Sequence, residues 1–274
     1  MKGARVLELS DAHIAFWDAG DGDPVVLVHA SFGAEWFAPV ARLLSGYRVV
    51  RTHRAGYGHS LDLGGKLSLV DHGRHLAEVL HALSIERVHV VAHSSGASIA
   101  LQLAADYQAL VQSMVLLESA FPYAPDEPKS DAMRQAIQAA KQDDLERAFT
   151  FFPGSVCSAG YRQVFMRALG AQGFEVSIRS GRYFFDHEIS ALAEWNSDAA
   201  HIEALTPPTL LIEGEGKRLY NPYRARNAAL ARRLPHAERL SIPGVTHAMP
   251  LENPALIART ILDFLRSHPL DADS

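Results

Sequence analysis

Ser94 sits in the run V-V-A-H-S-S-G-A-S-I-A, residues 90–100, where a β-branched segment (Val88, Val90, Val91) stops at the small residue Ala92. A helix-forming run begins directly after Gly96. Small residues two places before and two places after a serine let the chain turn sharply from strand into helix. Such a turn holds the serine in a strained conformation with its hydroxyl presented, and aims the next N–H and the helix N-terminus at the same point. The chemistry this suits is nucleophilic attack on a carbonyl. A plain strand–helix junction with a capping serine would use the same residue types, since serine is a favoured N-cap. The rest of the chain must supply a base to decide between them, because a serine hydroxyl is a poor nucleophile at neutral pH.

The base candidate is His247, in P-G-V-T-H-A-M-P-L at residues 243–251. The chain has 14 histidines, and what separates His247 is its place between the last strand and the terminal helix. In a doubly wound sheet the loops at the C-terminal strand ends gather at one edge, where ligands bind, so His247 can meet Ser94 across the sequence distance. Two other signals are weak. His72 and His75 are three apart on a predicted helix, but no carboxylate or cysteine is placed to complete a metal site. Cys157 is the only cysteine; it excludes an internal disulfide and reads as a buried, idle thiol rather than a nucleophile.

These residues need a scaffold, and the apolar pattern describes one. Val6–Leu9 and Ile14–Trp17 read as two short strands. Pro24 leads into V-V-L-V, a continuous apolar run of the kind a strand buried on both faces shows. A helix is predicted from about Trp36 to Leu44, a strand over Tyr47–Thr52, and a helix over Leu69–Leu83. Val88–Ala92 feeds the Ser94 turn and Ser95–Tyr107 leaves it, with a further strand at Met114–Leu117. After Pro122, Pro125 and Pro128 the alternation stops, and about 130–201 looks helical, with loops at Pro153–Gly154 and Gly181. Alternation returns with Thr209–Ile212, a helix over about Tyr223–Arg233, a strand at Arg239–Ile242, and an amphipathic helix whose Leu256, Ile257, Ile261, Phe264 and Leu265 share a face. Strands alternating with helices imply an α/β fold with a mostly parallel sheet covered on both faces. The organisation expected is a core of residues 1–122 and 206–274 with a helical cap insertion at 123–205.

The Ser94 turn, the late His247 and this alternation resemble the α/β-hydrolase fold family, from about Val25 to Leu265. The resemblance implies a triad whose acid lies between serine and histidine in chain order. In the commonest form that acid is an Asp three residues beyond a Gly, after the strand placed here at Thr209–Ile212. This segment reads L-L-I-E-G-E-G-K-R, and the position holds Lys217, which cannot accept a histidine N–H. A minority of the family, haloalkane dehalogenases among them, carries the acid at the end of the strand after the elbow helix. Fungal zearalenone lactonase looks similar, with a Glu there and a similar S-S-G-A-S elbow. The matching residue is Glu118 in L-L-E-S; Glu215 and Glu213 are its rivals. The resemblance also implies two backbone N–H donors for an oxyanion: Ser95, and Ser31 in the loop H-A-S-F-G, where Ala30 stands in place of the more usual Gly and His29 reads as structural. Gly56 and Gly58 in R-A-G-Y-G-H-S match the family's R-G-x-G-x-S turn rather than a phosphate loop.

Composition narrows the partners. The formal net charge of the 274 residues is −5, with no basic cluster, which argues against nucleic acid. No uninterrupted apolar run approaches the ~18–20 residues of a membrane span, and the N-terminus lacks a signal peptide's apolar core, so a cytoplasmic protein is expected. No cofactor fingerprint is present. The region after residue 130 is rich in aromatics. Phe152, Phe184 and Trp195, with Trp36 and Phe37 after the oxyanion loop, are expected to line an apolar pocket over Ser94. Together these point to a serine hydrolase of a small, largely apolar carboxylic ester or lactone. The alternatives are C–C bond hydrolysis, or a slow-turnover ligand receptor of the same fold. Dehalogenation is disfavoured, because that reaction uses an aspartate where this chain has Ser94.

Overall fold

Strands that carry apolar side chains on both faces need helices on both sides, and the central strands here are of that kind. The computed structural model describes residues 3–63, 65–121, 130–195 and 199–270. The strands are β1 (Arg5–Glu8), β2 (Ala12–Ala19), β3 (Asp23–Val28), β4 (Tyr47–Thr52), β5 (Leu61–Asp62), β6 (Val88–His93), β7 (Val111–Leu117), β8 (Thr209–Gly214) and β9 (Ala237–Ile242). They form one sheet in the order β1-β2-β4-β3-β6-β7-β8-β9, with β5 pairing β2. Every pair from β4 through β3 to β9 is parallel, whereas β1, β2 and β5 pair antiparallel.

Alternation along the strands sorts their side chains onto two faces. Val26, Val28, Val90, Met114, Leu116 and Leu211 pack under α2 (Leu69–Ala82) and α3 (Ser95–Asp106). Val25, Leu27, Val91, Val115, Leu117 and Ile212 pack against the terminal helix through Ile257, Ile261 and Leu265. Register carries this order to the strand ends: Val28 lies beside Ala92, His93 beside Leu117, Leu117 beside Ile212, and Gly214 beside Ile242. The chain segments that follow β3, β6, β7, β8 and β9 therefore leave the sheet along one edge, and every candidate catalytic residue lies on one of them.

Several expected elements differ in detail. The helix expected over 36–44 is a 3₁₀ turn, Ala34–Phe37, followed by one short helix, α1 (Ala38–Ala41). The helical segment comprises α4 (Asp131–Lys141), α5 (Leu145–Val156), α6 (Tyr161–Tyr183), a π-turn at Phe184–Glu188, α7 (Ile189–Glu194) and α8 (Ala199–Glu203). The loops expected at Pro153–Gly154 and Gly181 lie inside α5 and α6 instead. Pro153 falls in the last turn of α5, and its carbonyl still accepts the Cys157 N–H at 2.8 Å. The break in α6 comes at Gly170, whose φ of 70° only glycine adopts readily. The expected start of the insertion, at Pro122–Pro128, lies outside the described residues. After β8 come α9 (Tyr223–Ala231), α10 (Met249–Glu252) and α11 (Pro254–Arg266). Among the described residues no helix is long and apolar enough to cross a membrane.

Candidate active site

Ser94 caps α3 with φ 55° and ψ −119°, a region a non-glycine residue enters at a cost of about 1–3 kcal/mol. The surroundings fix it there. Its N–H donates to Leu117 O at 2.9 Å, and its carbonyl accepts from Ala97 N at 3.0 Å and Ala120 N at 3.1 Å. The small residue two places on is a steric necessity, because a Cβ on Gly96 would stand 2.5 Å from Val28 O.

The hydroxyl meets His247, with Ser94 Oγ 3.1 Å from Nε2, while Nδ1 lies 2.8 Å from Glu118 Oε2. An ionised carboxylate only accepts, so Nδ1–H donates to Glu118 and Nε2 is left to take the serine proton. Packing sets the plane of the ring. Tyr223, at the start of α9, stacks on it at 4.1 Å and 3°, and His93 approaches at 4.5 Å. Burial pushes the His247 pKa down, the Glu118 hydrogen bond and charge pull it up, and the net is a value below the ordinary one.

Glu118 follows β7 directly and has φ 45°, a second strained residue at a strand end. It is fully buried. Gly214 N donates to Oε1 at 2.9 Å, and Arg218 forms a bidentate pair, Nη2 to Oε1 at 2.7 Å and Nη1 to Oε2 at 2.8 Å. Burial alone would raise this carboxyl, but the hydrogen bond to His247 and the Arg218 charge outweigh it and hold it below the usual range. The rivals lie elsewhere. Glu213 pairs with Arg239 at 3.0 Å and accepts from Ser241, and Glu215 and Lys217 are exposed.

On the opposite side of Ser94 lies the loop after β3. His29 donates from Nδ1 to Ala30 O at 2.6 Å and accepts the Arg54 N–H on Nε2 at 2.9 Å, so it ties this loop to the one after β4. Burial, with the Arg54 charge, keeps its pKa well below the ordinary value. Ser31 and Ser95 approach each other, Oγ to Oγ 3.1 Å. Ser95 is the first residue of α3, so its N–H has no acceptor within the helix and is available to a developing negative charge. Ser31 Oγ also donates to Glu188 Oε1 at 3.3 Å, and Glu188, from the π-turn, accepts from Tyr57 OH and pairs with Arg54 at 3.0 Å. Arg54 Nη2 reaches Ser95 Oγ at 3.4 Å.

A cavity of about 110 Å³ opens at Ser94 and is lined by Ser31, Ser95 and Ser98 on the sheet side. Phe121, Met133, Ile189 and Leu192 make much of its apolar wall, and Phe152, Phe184 and Trp195 line it too. Trp36 and Phe37 do not. The 3₁₀ turn directs Trp36 into the aromatic cluster with Phe165, at 4.8 Å, and Phe37 into the core beside His93. Cys157 is buried, which pushes its thiol pKa far up and keeps it protonated. His72 and His75 sit under the sheet, with His75 bonded to Asp11 at 3.1 Å.

Sequence reasoning missed Arg218, Tyr223, Arg54, Tyr57 and Glu188. Arg218 had a usable signal. It stands next to the position where the family's acid is absent, and a carboxylate moved to β7 would face it across the β7–β8 pair. Glu188 had none, since nothing local marks which acid of a long helical segment turns inward.

A profile of the alpha/beta hydrolase fold matches residues 23–254. The chain is 28% identical over 258 residues to "Putative carbamate hydrolase RutD" of Pantoea ananatis, covering 91% of each chain. In structure it resembles an enol-lactonase from Burkholderia xenovorans, with a TM-score of 0.81 at 17% identity, covering 96% of this chain and 100% of the other. It also resembles a thermophilic esterase from Thermogutta terrifontis, with a TM-score of 0.77 at 20% identity, covering 97% and 100%. With its mostly parallel sheet, its strained strand–helix serine and a profile match over most of its length, the chain belongs to the alpha/beta hydrolase fold family.

Proposed function

We propose that the protein hydrolyses a small, largely apolar carboxylic ester or lactone through an acyl-enzyme on Ser94. The observation that carries this reading is the line of hydrogen bonds from Glu118 through His247 to Ser94 Oγ, ending at an apolar cavity. His247 Nε2 takes the hydroxyl proton as Oγ attacks the carbonyl carbon. The oxyanion forms against the Ser31 and Ser95 N–H groups and the N-terminus of α3. Collapse expels the alcohol, which takes its proton from the imidazolium; in a lactone it stays attached as the far end of the acyl chain. Water, deprotonated by the same imidazole, then releases the acid and restores Ser94. The overall reaction consumes only water.

The cavity wall supports an apolar substrate. Arg226 is the one charged side chain among its described lining residues, and the rest are aromatic, aliphatic or small hydroxyl groups. The names of similar proteins include a carbamate hydrolase, an enol-lactonase and an esterase. The aromatic lining favours an ester or lactone with apolar substituents over a small polar carbamate. The cap expected at 123–205 would be the segment carrying α4–α8, whose α4, α5, π-turn and α7 residues line the cavity over Ser94.

The test is labelling with a fluorophosphonate probe and hydrolysis of p-nitrophenyl butyrate. Wild type should be labelled at Ser94 and turn over many times, and Ser94→Ala should lose both while keeping its far-UV circular dichroism. Labelling that persists in Ser94→Ala would overturn the assignment of the nucleophile. A single burst without turnover would favour a ligand receptor instead.

A further inference from the structure

Arg218 occupies a place that the hydrolysis scheme does not explain. It follows β8 in the loop from which the family's usual acid is missing, and its side chain is 2% exposed against a Glu118 that is 0% exposed. Its fork takes both oxygens of the Glu118 carboxylate, and the same guanidinium donates to the carbonyls of Gly214 and Val156. One oxygen, Oε2, is shared between Arg218 Nη1 and His247 Nδ1, each at 2.8 Å. Glycine at 214 lets the loop come this close, because a Cβ there would stand 3.2 Å from Glu118 Oε1 and 2.4 Å from Val245 O. Moving the acid to β7 has thus left the β8 loop holding its counter-cation.

We propose that Arg218 is a positioning residue for the relay: it locks the Glu118 carboxylate in the plane His247 requires and cancels its charge, so that Glu118, Arg218 and a neutral imidazole are balanced at rest. The inference rests on the serine-hydrolase reading. Its physical content is electrostatic. An acid facing His247 alone would hold the imidazole in its charged form at pH values where it must be free to accept a proton. With the guanidinium on the same carboxylate, much of that pull is spent before it reaches Nδ1, while the orienting hydrogen bond remains. The other groups around the imidazole do not substitute for Arg218. His93 from β6, Tyr223 from α9 and Cys157 after α5 are buried beside the relay, and burial keeps each of them in its neutral form. Glu252 from α10 accepts from the Thr246 N–H and hydroxyl, and its charge acts in the same sense as Glu118. Arg218 is the cation that opposes both.

The test is the rate of fluorophosphonate labelling of Ser94 against pH, which reports the ionisation of the base without knowledge of the substrate. In Arg218→Met the acid-side midpoint should move up by about one pH unit or more, as expected for loss of a close buried charge. Arg218→Lys keeps the charge but cannot grip both oxygens; its midpoint should stay near that of wild type while labelling slows several-fold. A merely structural role would slow Arg218→Met at every pH and leave the midpoint in place, and that result would overturn the proposal. If Arg218→Met does not fold, Arg218→Gln, which keeps hydrogen-bond donors and loses the charge, takes its place: the same upward shift is expected, and an unmoved midpoint would overturn the proposal. Absence of labelling of wild type at every pH would instead remove the serine-hydrolase reading, a different and recognisable failure.

Discussion

Two buried arginine–glutamate pairs flank Ser94, and they do different work. On the histidine side, Arg218 and Glu118 meet at 2.7 Å with side chains 2% and 0% exposed; on the side of the loop after β3, Arg54 and Glu188 meet at 3.0 Å with 4% and 1%. Charge and burial are nearly matched, although Arg218 grips both oxygens of Glu118 and Arg54 reaches Glu188 through Nη2 alone. What differs is the company each carboxylate keeps. Glu118 spends its remaining capacity on the Gly214 N–H and on an imidazole that reaches the Ser94 hydroxyl. Glu188 spends its capacity on the Tyr57 and Ser31 hydroxyls, groups that hold position and stay protonated in use. The first pair joins two neighbouring strand ends. The second ties the loop after β4 to the π-turn of the helical segment and so holds that segment down beside the loop after β3. A buried ion pair seldom stabilises a fold on its own, though removing one partner strands the other charge. Pairs like these are best understood by what else they touch.

The sharpest way to break the comparison is Glu118→Gln. An amide can still receive the Nδ1 hydrogen bond but cannot stabilise the imidazolium, and the precedent for losing the acid's charge in a serine protease is a fall of about 10⁴ in kcat. Steady-state hydrolysis of p-nitrophenyl butyrate measures it, with Glu215→Gln as the control that should change little. A loss under tenfold in Glu118→Gln would mean that the two pairs are alike and that neither serves the base.

Glu188→Gln is the converse. It leaves Arg54 charged and buried, with a cost to folding of about 3–5 kcal/mol expected for breaking such a pair. Activity should fall far less than in Glu118→Gln, because Ser94, His247 and Glu118 remain intact. Urea unfolding and kcat taken together decide. A variant of full stability whose kcat collapses would move Glu188 from clamp to catalysis.

The sequence made the two sides unequally legible. Ser94 could be read because an elbow is local: a β-branched strand, a small residue, a serine and Gly96 lie within one short run. His247 could be read because chain order and strand-end geometry leave few places for it. Glu118 emerged by contrast with Lys217, since a missing acid in one loop directs attention to the neighbouring strand end. The clamp on the other side was invisible, because Arg54 and Glu188 meet only after the helical segment has folded back, and no periodicity marks Glu188 among the acids around it. Trp36 and Phe37 failed for a related reason. Both follow the loop after β3, but the backbone there forms a 3₁₀ turn, and its different angular step sends both rings into packed clusters rather than the cavity. Pro153 and Gly181 were read as loop residues from type alone, whereas the helices run through both.

The smallest effect concerns protons, and it compares the histidines beside the two pairs. His247 lies against Glu118, and His29 and His72 lie near Arg54; all three have pKa values held below the ordinary one, first by burial, and the Arg54 charge adds to the lowering for His29 and His72. A histidine whose folded pKa is depressed binds fewer protons in the native state than in the unfolded chain. Stability therefore rises with pH in this range and is lost as pH falls below the unfolded value of ~6.5. Each such histidine should contribute up to about 0.7 kcal/mol of loss between pH 7 and pH 6, the most that linkage allows for a group that stays neutral when folded. Urea titrations at the two pH values measure the sum. His247 should contribute least, because Glu118 partly opposes its burial, whereas Arg54 reinforces burial at His29 and His72. His72→Phe, which removes a buried imidazole with no hydrogen bond at Nδ1, should flatten the pH dependence more than His247→Phe does. The reverse order would mean that the Arg54 charge is screened from its histidines and that the two pairs are less different than their contacts indicate.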